Sequence, residues 1–152
     1  MKQKLTMIYG SIFILITGIS CTTNKTLKPF TSDGCSLFPD KSLIKNEDWC
    51  ECCVKHDLAY WKGGSEEERD KADLDLKRCV IEKTGDTTLA NLMYMGVRMG
   101  GSPYFPTWYR WGYGWNYQRG YQPLSPEEKR KVKQKLERTS PEINACTGEA
   151  DN

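Results

Sequence analysis

The run Cys50-Glu51-Cys52-Cys53-Val54-Lys55-His56-Asp57-Leu58-Ala59-Tyr60 constrains the fold more than any other part of the chain. Three cysteines crowd into four positions, and the single histidine of the chain follows them. Asn46 can cap a helix ahead of this run, and Gly63-Gly64 can end it, which predicts a first helix over 46–61. At helical spacing Trp49, Cys53, His56 and Tyr60 fall on one stripe. A stripe of that make-up faces a core, so it buries an imidazole beside a disulfide with a phenol one turn away. Zinc ligation by Cys-x-Cys-Cys-x-x-His is the rival reading, but the second ligand pair that zinc sites use is missing.

Cysteine parity reinforces the disulfide reading. Seven cysteines are odd, and an odd one in an exported chain needs a separate explanation. Residues 1–20 read as a signal peptide, with Lys2 and Lys4 ahead of a mostly apolar run over 7–19. Cleavage before Cys21 would leave a lipidated first residue, as in bacterial lipoproteins, and six remaining cysteines can close three bridges in an oxidising compartment. Sequence alone leaves about fifteen pairings of six cysteines open. The expected location is outside the cytoplasm, as a membrane-anchored lipoprotein or a secreted protein.

Lys2 and Lys4 also account for the whole net charge of +2. No basic tract remains for nucleic acid, which is excluded as a partner. Residues 21–32 read as a tether, and 33–152 as one domain. Asp33-Gly34-Cys35-Ser36-Leu37-Phe38-Pro39-Asp40 reads as a turn-rich loop pinned by a cysteine, able to offer hard oxygen ligands to a cation.

Further helices follow. Ser65 with Glu68 forms a capping box that starts a helix running to about residue 83, with Ala72, Leu76, Cys79 and Val80 on its apolar face. A third helix is expected over 87–99, with Leu89, Leu92, Met93 and Val97 on its apolar side. Over 104–121, nine of eighteen residues are aromatic and no period persists, so the segment reads as an irregular platform. Its rings either fill the core or form an interfacial surface. Ser125-Pro126-Glu127-Glu128 is a second capping box, opening a helix to about residue 138 whose charges form a solvated face.

With the first two helices antiparallel, His56 lies one turn beyond Cys52, and Asp73 and Asp75 lie one to two turns before Cys79. Helical reckoning leaves both acids open as the partner of His56, with a lean toward Asp75. A histidine held by a buried acid can take a proton from water, and a cation on Asp57 can stabilise a developing oxyanion. That is an ester hydrolase without a serine.

Cys52-Cys53-Val54-Lys55-His56-Asp57, Tyr60 four residues after the histidine, Asp73 six residues before Cys79, and Asp33-Gly34-Cys35 ahead of Pro39-Asp40 together resemble the secreted phospholipase A2 superfamily. The resemblance covers residues 33–79, less than a third of the chain. It implies an all-α fold in which an antiparallel helix pair is cross-linked by disulfides and carries a small helical and aromatic-loop extension. It implies His56 as general base, Asp73 as its orienting acid and Tyr60 as a support for that acid. Calcium is the implied cofactor, held by Asp57 with backbone oxygens of Gly34, Ser36 and Phe38. The implied bridges are Cys35–Cys53 and Cys52–Cys79, which leaves Cys50 and Cys146 for each other. The expected activity is calcium-dependent cleavage of the sn-2 ester of glycerophospholipids by a monomer at a phospholipid membrane surface; the sequence names no protein partner. Ser36-Leu37-Phe38 stands where animal enzymes carry glycines, so a catalytically silent lipid- or protein-binding lipoprotein of the same fold is the alternative.

Overall fold

A computed structural model describes residues 26–42, 47–139 and 146. The signal segment, the lipidation position Cys21, tether residues 21–25 and the cap position Asn46 lie outside the described residues. Four helices make up the described architecture: α1 (Cys50–Lys62), α2 (Glu66–Thr84), α3 (Thr87–Gly100) and α4 (Pro126–Thr139). No strand occurs among the described residues; Lys41 and Asp48 form an isolated antiparallel bridge.

α1 starts at Cys50, later than the expected residue 46. Trp49 is not helical (φ −123°, ψ 9°), and the Asp48 carboxylate accepts a hydrogen bond from the Cys50 amide at 2.8 Å. That side chain meets one of the amides that a helix start leaves unpaired. Both α2 and α4 open on the expected capping boxes, with Ser65 and Glu68 exchanging side-chain-to-amide bonds, and Ser125 and Glu128 doing the same.

Pairing across the first two helices fixes their direction. Cys52 is bridged to Cys79, His56 meets Asp73, and Tyr60 meets Arg69, so partner numbers fall as α1 is followed forward. The helices are therefore antiparallel. α3 returns along α2 in the same sense, with Lys77 over the Tyr94 ring and Arg98 on Asp70. Cys35–Cys53 and Cys52–Cys79 form as the resemblance implies, and the two cysteines left over, Cys50 and Cys146, pair with each other.

α1 is buried along two stripes. Cys53, His56 and Tyr60 continue from Trp49 on one; Cys50, Val54 and Trp61 lie on the other. The second stripe packs against Leu27, Phe30 and Trp115. Residues 26–32, expected as the end of a tether, thus belong to the domain surface. Leu27 and Phe30 are apolar enough to be drawn into the core, and the Trp61 indole fixes the segment by donating to the Lys28 carbonyl at 3.0 Å.

Part of the aromatic segment is core. Trp111 and Trp115 are about 1% exposed. Their indoles donate to the Gly64 and Lys62 carbonyls at 3.0 and 2.7 Å, and the Gly112 and Gly114 amides donate to the Tyr60 and Trp61 carbonyls. A helix end leaves carbonyls without partners, and here an irregular loop supplies the donors for α1. The loop comes this close because Gly63 (φ +64°) lacks a side chain; a Cβ there would lie 2.9 Å from the Gly112 Cα. Tyr104, Phe105, Trp108 and Tyr117 remain exposed. On α3, Ala90 and Met93 are buried, with Leu89 and Val97 packed beside them. Leu92 departs from expectation and is exposed, with Met95 and Met99, because α3 has no neighbouring element on that face among the described residues.

Candidate active site

His56 and Asp73 meet between α1 and α2. The imidazole Nε2 lies 2.8 Å from Asp73 Oδ1, and both side chains are buried. A carboxylate only accepts, so Nε2 carries the proton and the neutral ring has its lone pair on Nδ1. Asp75, the other acid that helical reckoning left open, points away and pairs with Lys71 and Arg78 on the surface.

Tyr60 donates to the same Asp73 oxygen at 2.8 Å, and its ring lies beside the imidazole with centroids 4.2 Å apart. Burial and the neighbouring Asp73 charge push the Tyr60 phenol up, so it stays a donor. The phenol fits against the backbone turn after α3 because residue 101 is glycine: a Cβ there would come within 2.5 Å of the Tyr60 ring.

Two arginines complete the network, and sequence reading missed both. Arg98 Nη1 donates to Asp73 Oδ2 at 2.9 Å and also engages Asp70. Arg69 donates to the Tyr60 hydroxyl (3.0 Å) and the Tyr121 hydroxyl (2.6 Å), and its Nε lies 3.7 Å from Asp73 Oδ2. The signal for Arg69 was available, since it stands four residues before Asp73 on one helix face. Arg98 came from α3, whose placement the first two helices do not dictate. Burial alone would raise the Asp73 pKa, but hydrogen bonds and charge from His56, with the bonds from Tyr60 and Arg98, outweigh it and hold the carboxyl below its usual value. Asp73 is therefore a fixed anion facing a donor on every side.

Asp57 sits one residue after His56 and faces a different environment. Its Oδ2 accepts from the Ser32 hydroxyl at 2.6 Å. Burial pushes this carboxyl up to about 7, against the Ser32 bond, and the nearby Asp33 and Asp40 charges add to the rise. The loop around it is shaped by Asp40, which accepts from the Cys35 amide at 2.6 Å, and by Gly34 at φ +79°. A Cβ on Gly34 would lie 2.4 Å from Asp40 Oδ1.

A cavity of about 120 Å³ joins these parts. His56, Asp57, Tyr60, Gly34, Ser36 and Phe38 line it, together with an apolar wall from Leu76, Met93 and Val97. Six of the seven expected catalytic and metal-site positions thus line one cavity, and the seventh, Asp73, is bonded to His56. A wider groove of about 690 Å³ also reaches Asp57 and Ser36 and is walled by the aromatic segment.

A half-buried carboxylate among other acids, with a serine hydroxyl as its one side-chain partner, is short of positive charge. Backbone oxygens of the loop are hard ligands of the kind calcium takes. The residues fit a hard cation built on one carboxylate and main-chain oxygens; among the described residues no cluster of three or more His, Cys, Asp or Glu side chains forms a metal site. Comparison with protein-family models, curated proteins and solved structures finds no match to this chain.

Proposed function

We propose that this chain is a phospholipase A2-like hydrolase that cleaves the sn-2 ester of glycerophospholipids with calcium, and that His56 is its general base. The observation that carries the reading is the buried His56–Asp73 pair at 2.8 Å, with the imidazole opening on a cavity shared with Asp57 and the 34–38 loop. Two disulfides one turn from His56 on α1, Cys53 to the loop and Cys52 to α2, hold that arrangement.

His56 Nδ1 takes a proton from a water molecule, whose oxygen then bonds to the sn-2 carbonyl carbon. Asp73 holds the imidazole tautomer and stabilises the imidazolium that forms, without taking the proton itself. Tyr60 and Arg98 keep the Asp73 carboxylate in place. The imidazolium returns the proton to the departing glycerol oxygen, and a fatty acid and a lysophospholipid result. Asp57 and the backbone oxygens of Gly34, Ser36 and Phe38 would hold calcium, which when bound supplies Lewis-acid stabilisation of negative charge on the ester oxygen. Leu76, Met93 and Val97 give an acyl chain an apolar wall.

Exposed Leu37 lines the smaller cavity and exposed Trp108 the wider groove, which suits a phospholipid surface. Export fits the three disulfides. Among the described residues no helix is long and apolar enough to cross a membrane, and lipidation at Cys21 is the anchor under this reading. Leu37, a non-glycine at φ +65° in the cation loop, is the observation that favours the silent binding protein instead. Fatty-acid release from phosphatidylcholine by the mature chain, with and without calcium, separates the two: the hydrolase releases fatty acid only with calcium, and the silent protein never does.

A further inference from the structure

We infer that the wide groove beside Asp57 is an anion subsite in which Arg110 binds a phosphate ester. The inference rests on the preceding reading to the extent that Asp33 and Asp57, which line the same groove, would repel an anion unless a cation held by Asp57 offsets them.

Arg110 is the anomaly among the buried and half-buried arginines. Arg69 approaches Asp73, Arg98 engages Asp70 and Asp73, and Arg119 engages Glu128. Arg110 is 7% exposed yet has no carboxylate partner among the described residues. Its bonds are one donation to the Trp115 carbonyl at 2.8 Å and a stacking contact over the Tyr117 ring. A guanidinium carries a planar fork of further N–H donors, and these match phosphate oxygens. Burying a cation without an anion is costly, and here burial lowers the Arg110 pKa accordingly. Thr107, on the same groove, has a buried hydroxyl with no partner. Lys28 adds a second positive charge at the rim. A cation without an anion and a hydroxyl without a partner, on two residues that line one groove, suit a ligand that accepts hydrogen bonds and carries negative charge. The groove shares Asp57 and Ser36 with the His56 cavity, so one phospholipid can reach both.

The test uses the full His56→Gln chain with calcium present and reads tryptophan fluorescence, because Trp108 lines the groove. Three probes are titrated: a short-chain ether-linked phosphatidylcholine below its micelle concentration, the matching glycerol diether without phosphate, and inorganic phosphate. Arg110→Gln is expected to weaken the ether phospholipid about 10- to 100-fold and to leave the diether unaffected. Arg110-dependent binding of inorganic phosphate at similar affinity upholds the same chemistry with free phosphate as its source. A folded Arg110→Gln chain that binds both phosphate probes as before overturns the inference. If Arg110→Gln does not fold, exposed Lys28→Gln decides: an affinity loss of about two- to fivefold with a shallower salt dependence upholds it, and no change overturns it. Arg110-dependent binding in a chain whose native form hydrolyses no ester removes the hydrolase and leaves the subsite.

Discussion

Arg98 Nη1 sits 2.9 Å from Asp73 Oδ2, while His56 and Tyr60 share the other oxygen of the same carboxylate. Asp73, on α2, is thus clamped from α1 and α3, and its position relative to the imidazole cannot drift without breaking a charge-assisted bond. Arg98→Gln is expected to lower stability by about 1–3 kcal/mol and to reduce kcat more than it raises KM. Arg98→Lys should recover part of both. Urea unfolding alongside steady-state kinetics checks this; an unchanged kcat in a folded Arg98→Gln chain would leave Arg98 as a structural residue only.

The choice between the two acids on α2 gives a second expectation. Asp73→Asn is expected to lower kcat by about 10²–10⁴-fold, since an amide can no longer stabilise the imidazolium. Asp75→Asn should behave as the native chain, because Asp75 bonds Lys71 and Arg78 at the surface. Kinetics on a phospholipid, with the fold of both variants checked by circular dichroism, compares them; the reverse ranking would refute the assignment.

Choosing between these acids shows where sequence reading stops. The Cys52–Cys79 staple and the spacing to His56 placed an acid near the ring, but ideal rods favoured Asp75. The resemblance supplied Asp73, because real helices cross at an angle that a one-turn count ignores. Arg98 was out of reach, since its role depends on how α3 returns along α2. The 104–121 segment was legible as irregular and aromatic; that Trp115 donates to the last carbonyl of α1 and Trp111 to the Gly64 carbonyl just beyond it was not, because those bonds are non-local. Residues 26–32 looked polar enough for a tether, yet burial of Leu27 and Phe30 pins the segment to the domain surface.

Acid should weaken the fold through Asp73. Its folded pKa lies below the unfolded value, so it contributes stability that is present above the ordinary carboxylate range, about 3.9, and lost as pH falls through the folded value. The melting temperature should fall steeply below about pH 4, and more shallowly in Asp73→Asn. Parallel slopes for the two chains would contradict the clamped anion.

Tryptophan emission should report the surface. Of Trp108, Trp111 and Trp115, only Trp108 is exposed. A blue shift on adding phosphatidylcholine vesicles is expected, and Trp108→Phe should abolish it. A shift that survives Trp108→Phe would place the contact elsewhere.

Breaking the Cys52–Cys79 bridge by Cys52→Ala with Cys79→Ala is expected to cost about 2–5 kcal/mol. Activity should fall further than the folded fraction, because this bridge sets the register of His56 against Asp73. Activity that simply tracks the folded fraction would show that the bridge holds the fold and not the site.

The measurement closest to the central claim is sn-2 fatty-acid release from phosphatidylcholine by the purified mature chain, by His56→Gln and by Asp57→Asn, across a calcium titration. Release by the native chain that rises with calcium, is lost in His56→Gln and no longer responds to calcium in Asp57→Asn is the expected result. Full release by His56→Gln, or none by the native chain at any calcium concentration, would contradict the proposed hydrolase.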